Sequence, residues 1–313
     1  MRYLCGLTVA LLVVAPVVAQ DVPLSEIILP GEGWKKVGGK LESAAGLAVD
    51  KEGQLYIADP RGKQILRIDK GGKAEVFTKT EGRVGFITFG KDGKLYGFSF
   101  TGFEEKEQPG EVYLVKLDEK GRLSRLASIP DASPLVDVTE DGEVRILLGP
   151  PLNVQVEPRA KFIHYDRNGK LKGRTESKVK AAFGLAAVLW PDGGTLVTGD
   201  VKEAQLWAYR IQPDGTLAAG EKYYRLARER GKEEAAFFLT IDRQRRVYAS
   251  TPLGIQVFDP TGRLSGVLAS PEREPPGIMA FAGPNRDLLY ASFGTSLYVR
   301  KLKAQGVPWP EKK

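Results

Sequence analysis

Residues Gly46–Thr78 read GLAVDKEGQLYIADPRGKQILRIDKGGKAEVFT, and this stretch decides the fold. Apolar, β-branched and aromatic side chains come in short runs at Gly46–Asp50, Gln54–Ala58, Gln64–Asp69 and Lys73–Thr78. Between the runs stand glycines and aspartates, the residues that tight turns with positive φ require. The reading is a row of consecutive antiparallel strands. A lone sheet of this size leaves both faces in water, so copies of itself must cover it.

The copies follow. Strand, Asp/Gly turn and strand recur at Phe86–Tyr96, Leu135–Leu148, Leu185–Val197, Phe238–Ala249 and Ile278–Ala291. Outer pairs follow as EVYLVKLDEKGRL (111–123), KFIHYDRNGKL (161–171), QLWAYRIQPDGTL (205–217), IQVFDPTGRL (255–264) and SLYVRKL (296–302). Six copies at a period of roughly 40 to 50 residues match the spacing of propeller blades. The expected fold is therefore all-β, a six-bladed β-propeller of four-stranded antiparallel blades; an all-β sandwich is the competing architecture. The last copy is short of outer strands, and a ring must be closed. Trp34–Val37 or Ile27–Leu29 is expected to complete it.

The remainder divides simply. Residues 1–19 hold Arg2 and then an apolar run ending in Val17-Val18-Ala19, the pattern of a secretory leader, with Pro16 interrupting any longer membrane span. Residues 20–45 form an N-terminal segment with the ring-closing strand, 46–306 a single propeller, and 307–313 a tail expected to be loosely packed. The charged stretches Phe103–Gly110 and Ala227–Glu234 are expected as loops. Cys5 is the one cysteine and lies inside the leader, so the exported chain carries no disulfide, thiol nucleophile or cysteine metal site. The net charge of +7 is interleaved with acidic residues, which describes a solvated surface better than an anionic partner. No nucleic-acid module is present. A monomer in the periplasm or secreted, with no membrane span after the leader, is expected.

The second half resembles the gluconolactonase and regucalcin (senescence marker protein) family of six-bladed propellers. The resemblance rests on the ordered set Pro191-Asp-Gly-Gly-Thr-Leu196, Gly254-Ile-Gln-Val-Phe-Asp-Pro260, Leu289-Tyr-Ala-Ser292 and Gly294-Thr-Ser-Leu-Tyr298. Gly46–Asp69 also resembles NHL-type repeats. What the family resemblance implies is a lactone hydrolase with one divalent metal, commonly calcium or zinc, held on the axis by Glu, Asn and Asp. Carried onto this sequence, the glutamate position falls at Ala45, the asparagine position at Phe183 and the aspartate position at Phe237. The substrate-side asparagine falls near Val84 or Gly85, and the final blade's asparagine at Ile278. All of these lack the side-chain oxygen.

The expectation is a central mouth lined by Ala45, Gly85, Phe183, Phe237 and Ile278, with no metal and no assigned catalytic residue. Phenylalanines at such a place either plug it or bind an apolar ligand. Glu42, Asp137, Asp59 and Asp200 are the fallback ligands for a hard cation, although Asp59 and Asp200 end strands, where Asp commonly binds local backbone. His164, the sole histidine, reads as an ordinary strand residue. Three functions stay open. The first is an exported binding propeller for a small-molecule ligand or envelope protein. The second is a calcium- or zinc-dependent sugar-lactone hydrolase with relocated ligands, and the third a structural interaction propeller of the envelope.

Overall fold

Every side chain of Leu55–Asp59 is buried, and so is every one of Val247–Thr251. A strand covered on both faces needs a packed layer on each side, and here the neighbouring sheets supply it. Burial fades outward: Gln64–Ile68 still buries three residues, whereas Ala74–Lys79 buries none. Apolar residues are thus concentrated in the inner strands, and the outer strands are free to be polar.

The computed structural model describes residues 22–39, 41–100, 112–118, 120–129, 136–139, 141–148, 159–180, 186–199, 204–228 and 236–309. These contain six four-stranded antiparallel sheets arranged in a ring, a six-bladed β-propeller. Blade one runs outward as Gly46–Val49, Leu55–Asp59, Gln64–Ile68 and Ala74–Lys79. The first strands of the next four blades are Arg83–Phe89, Val136–Val138, Ala187–Leu189 and Leu239–Ile241. Each begins a sheet whose strands follow in chain order. Blade six has only three strands from the C-terminal half, Pro276–Ala282, Leu288–Phe293 and Ser296–Lys301. Its fourth is Lys35–Val37, paired antiparallel with Lys35 opposite Val299 and Val37 opposite Leu297. Of the two expected closing segments, Trp34–Val37 takes the role. Ile28 only bridges Leu302.

The core is six wedges between adjacent blades rather than one mass. Tyr56, Ala58 and Ile65 of blade one meet Val84, Ile87 and Val115 of blade two, and the wedge between blades six and one joins Leu55 and Ile57 to Tyr290 and Leu297. Fully buried aliphatic and aromatic side chains of this kind each contribute about 1.5–3 kcal/mol. Val22, Leu24 and Trp34 of the N-terminal segment pack on the wedge of blades five and six, and Trp34 Nε1 donates to Ala269 O at 2.9 Å.

Two ends of the ring differ. One carries the hairpins that join first and second strands. Their turns place Gly53, Gly93, Gly142 and Gly193 at positive φ, but blades five and six place Arg245 (φ 65°) and Arg286 (φ 52°) there. That backbone costs an L-residue about 1–2 kcal/mol, and contacts between blades offset it. Arg245 lies 5.3 Å from the Trp190 ring and 3.4 Å from Asp192, and Arg286 Nη2 donates to Asp50 O at 2.7 Å.

Residues 306–309 are anchored at three points. Gly306 bridges Asp242 of blade five, Val307 packs on the wedge of blades four and five, and Trp309 meets Phe89 of blade two edge-on at 6.4 Å. Blades five and two face each other across a six-membered ring, so this strap crosses the axis at the hairpin end. The leader, Phe103–Gly110 and most of Ala227–Glu234 lie outside the described residues.

Candidate functional site at the end of the ring opposite the hairpins

The starts of the first strands gather at the end opposite the hairpins. Ala45 is fixed there by backbone alone: its N–H donates to Ala58 O at 3.1 Å, and its carbonyl accepts from Phe86 N at 2.8 Å. The second bond ties blade one to blade two. It is tight because residue 46 is glycine; a Cβ there would stand 2.8 Å from Ile87 N. Gly85 is in ordinary contact range, its Cβ position 3.6 Å from Ala45 Cβ. The structure therefore brings Ala45 and Gly85 together.

Phe86, in the sequence the first residue of the second copy, lies beside this contact. Its φ is 48°, an outlier for a bulky side chain, and it sits in a register shift between Gly85 and Thr88. Its ring packs against Phe98 and Phe100. A second register shift, between Pro276 and Met279, distorts the first strand of blade six. Bulges at a rim re-aim side chains and end pairing. Gly85 and Gly277 were the sequence signal, since isolated glycines in a strand mark such irregularities.

On the far side, Phe237 N donates to Ser250 O at 3.0 Å. Its side chain is 42% exposed, one of the few large apolar residues left in water. Ala236 beside it is buried against blade four, where a Cβ on Gly199 would meet Ala186 Cβ at 2.9 Å and Ala236 O at 3.3 Å. Ile278 is half-buried and packs on the wedge of blades six and one. Phe183 lies outside the described residues, as does Asp200.

The described fallback carboxylates, Asp59, Asp137 and Glu42, share no common site. Asp59 is 1% exposed and accepts from Ser43 N (3.0 Å), Ser43 Oγ (2.8 Å), Gly62 N (3.1 Å) and Gln64 Nε2 (3.1 Å). That is the local turn role. Asp137 is paired with Arg145 at the junction of blades three and four, and Glu42 is exposed. Among the described residues no group of three or more His, Cys, Asp and Glu could hold a metal ion. Other buried polar residues at this end serve the fold: Gln256, fully buried, donates to Ala227 O at 2.8 Å and accepts from Ala227 N at 2.8 Å, tying a loop to blade five. The hairpin aspartates behave alike. Asp242, fully buried, accepts from Arg246 Nε at 2.5 Å and Tyr248 Oη at 3.1 Å, and burial pushes the Tyr248 hydroxyl well above its ordinary pKa.

His164 is half-buried on blade three, directly opposite Arg145 and Gly173. Desolvation first, then the Arg145 charge, lowers its pKa. The cavity it borders with Asp137 and Arg145 measures about 20 Å³, room for little more than a water.

No curated protein matches the sequence. Solved structures do match in fold. A gluconolactonase from Xanthomonas campestris is 16% identical, with a TM-score of 0.67 over 90% of this chain and 93% of that one. A calcium-binding protein, regucalcin, from Agrobacterium tumefaciens is 13% identical, with a TM-score of 0.64 over 86% and 94%. A luciferin-regenerating enzyme is 14% identical, with a TM-score of 0.62 over 88% and 97%. At these identities the likeness concerns the fold. The family profile described as the SMP-30/Gluconolactonase/LRE-like region matches residues 43–294, which covers blades one to five and the two inner strands of blade six, and the chain belongs to that family.

Proposed function

We propose that this chain is a family propeller whose central mouth binds an apolar ligand, or an apolar side chain of an envelope partner, without the divalent-metal chemistry of a lactone hydrolase. One observation carries the reading: Phe237, where the resemblance implies an aspartate ligand, is a phenylalanine left 42% exposed just before the first strand of blade five. Burying a phenylalanine is worth about 1.5–3 kcal/mol in full, so a ligand that covers this ring recovers free energy that folding leaves unused. Ala45, at the glutamate position, offers no side-chain oxygen and has its backbone N–H and carbonyl engaged across blades one and two. A hard cation requires several convergent oxygens, and the residues at these positions do not fit one. Asp59 and Asp137 are already committed to hydrogen bonds and to Arg145.

The experiment pairs a lactonase assay with an apolar naphthalene dye. The expected result is saturable dye binding that is lost in Phe237→Asp, and no turnover of aldonolactones with or without calcium or zinc. Metal-dependent turnover overturns the reading. The leader belongs to the same proposal: the protein acts outside the cytoplasm, and N-terminal sequencing of the mature protein should begin near Gln20. A start at Met1 after expression in an export-competent host contradicts this part.

A further inference from the structure

We infer that the groove between blades one and two, at the hairpin end of the ring and separate from the central mouth, binds an acidic oligosaccharide built of uronate-type sugars. The groove has a volume of about 810 Å³, within the range of built ligand sites. Four aromatic rings line it. Tyr56 meets Phe77 and Phe89 edge-on, each at 5.1 Å, and Phe89 meets Trp309 at 6.4 Å. Trp309 is only half-buried and is delivered by the strap that crosses the axis. Tyr56 is buried in the wedge and backs the floor, which leaves the partly exposed Phe77, Phe89 and Trp309 to meet the C–H faces of a pyranose ring.

The charges in the groove are unequal in availability. Of its carboxylates, Asp118 accepts from Arg122 Nε at 2.7 Å, while Asp92 accepts from the neutral Tyr96 Oη at 2.8 Å and Asp50 from the neutral Gln54 N at 2.8 Å and both keep their charge, so the groove sets six cations against four carboxylates. Glu52 pairs with Lys51 at 3.3 Å. Lys91, Lys94, Lys116 and Lys120 also line the groove, and among the described residues none of the four has a carboxylate within ion-pair distance. Lys91 and Lys94 come from the first hairpin of blade two, and Lys116 and Lys120 from its outer hairpin. Cations spaced along two hairpins match a ligand with repeated anionic groups better than a single carboxylate. Together with the aromatic floor they select a polymer of acidic sugars.

The test titrates the full chain with oligogalacturonate, a neutral oligosaccharide of equal length, and polyglutamate, read by calorimetry and tryptophan fluorescence. Oligogalacturonate is expected to bind and quench, the neutral sugar not to bind, and polyglutamate to bind far more weakly. Lys91→Glu with Lys94→Glu is expected to weaken oligogalacturonate binding by about tenfold or more. Trp309→Ala should abolish the quench, and Trp309→Phe should keep most of the affinity. The lysines are exposed, so unchanged melting of the double variant shows that the fold is intact. Absence of oligogalacturonate binding, affinity indifferent to the lysine changes, or equal binding of polyglutamate would each overturn the inference.

Discussion

Asp59 accepts four hydrogen bonds from three residues in a place almost closed to water. Replacing it with alanine leaves the Ser43 and Gly62 amides and the Gln64 amide group without their acceptor. Bonds to a charged acceptor are worth about 1.5–3 kcal/mol, and a buried orphaned donor adds to the loss. Asp59→Ala should therefore lower stability by about 3 kcal/mol or more, read by urea unfolding. A melting temperature unchanged by the substitution would show that the carboxylate is held for something other than the turn. This role was legible in the sequence, because an aspartate at the end of a strand before Pro-Arg-Gly has few other uses. The positive φ of Phe86 was not legible. Nothing in a phenylalanine announces it, and its amide donates to Ala45 O on another blade, a contact remote in sequence. The arginines at 245 and 286 were hidden for the same reason: their compensating contacts lie on neighbouring blades.

At the scale of elements, the strap from Ala304 to Trp309 depends on a single glycine. A Cβ on Gly306 would fall 2.4 Å from Phe281 Cβ, which is not the far end of a flexible chain. Gly306 N also donates to Arg286 O at 2.8 Å. Gly306→Ala should lift the strap off blades five and six, cost about 1–3 kcal/mol as overpacking does, and change the fluorescence of Trp309. The comparison with Trp309→Phe isolates that signal, and identical spectra would contradict the strap as described. Sequence patterning located the four strands of blade one to within a residue at each end, because turn glycines and buried runs are local signals. It gave no partners for Val307 and Trp309 at the start of the 307–313 tail, because those partners, the wedge of blades four and five and Phe89, are remote in sequence.

At the scale of the molecule, the ring is closed by Lys35–Val37 on blade six and by the hairpins of blades six and one. There Gly283 N donates to Gly53 O at 2.8 Å, and a Cβ on Gly53 would collide with Gly283 O at 2.1 Å. Deleting residues through Gly38 uncovers the edge of Ser296–Lys301 and removes Trp34 and Leu24 from the wedge of blades five and six. An open edge is a template for pairing with other chains. The truncated protein should unfold at lower urea and associate through the exposed strand, visible by light scattering. A truncated monomer as stable as the full chain would contradict closure by this strand. Six blades were legible from the period, and closure from the last blade's missing strand. The site was legible only as a set of substitutions, since the aligned positions show what each residue lacks and not what it touches.

The proposal to be tested is that the described residues at the axis of this family propeller offer no cage for a divalent ion. Its most direct test is elemental analysis of the mature protein purified without chelator, joined to a thermal-shift titration with calcium and with zinc. Metal well below stoichiometry and a melting temperature unmoved by either ion are the predicted results. About one ion per chain, with stabilisation that saturates as a bound ligand's must, would contradict the claim and return Asp137 and Glu42 to consideration as ligands.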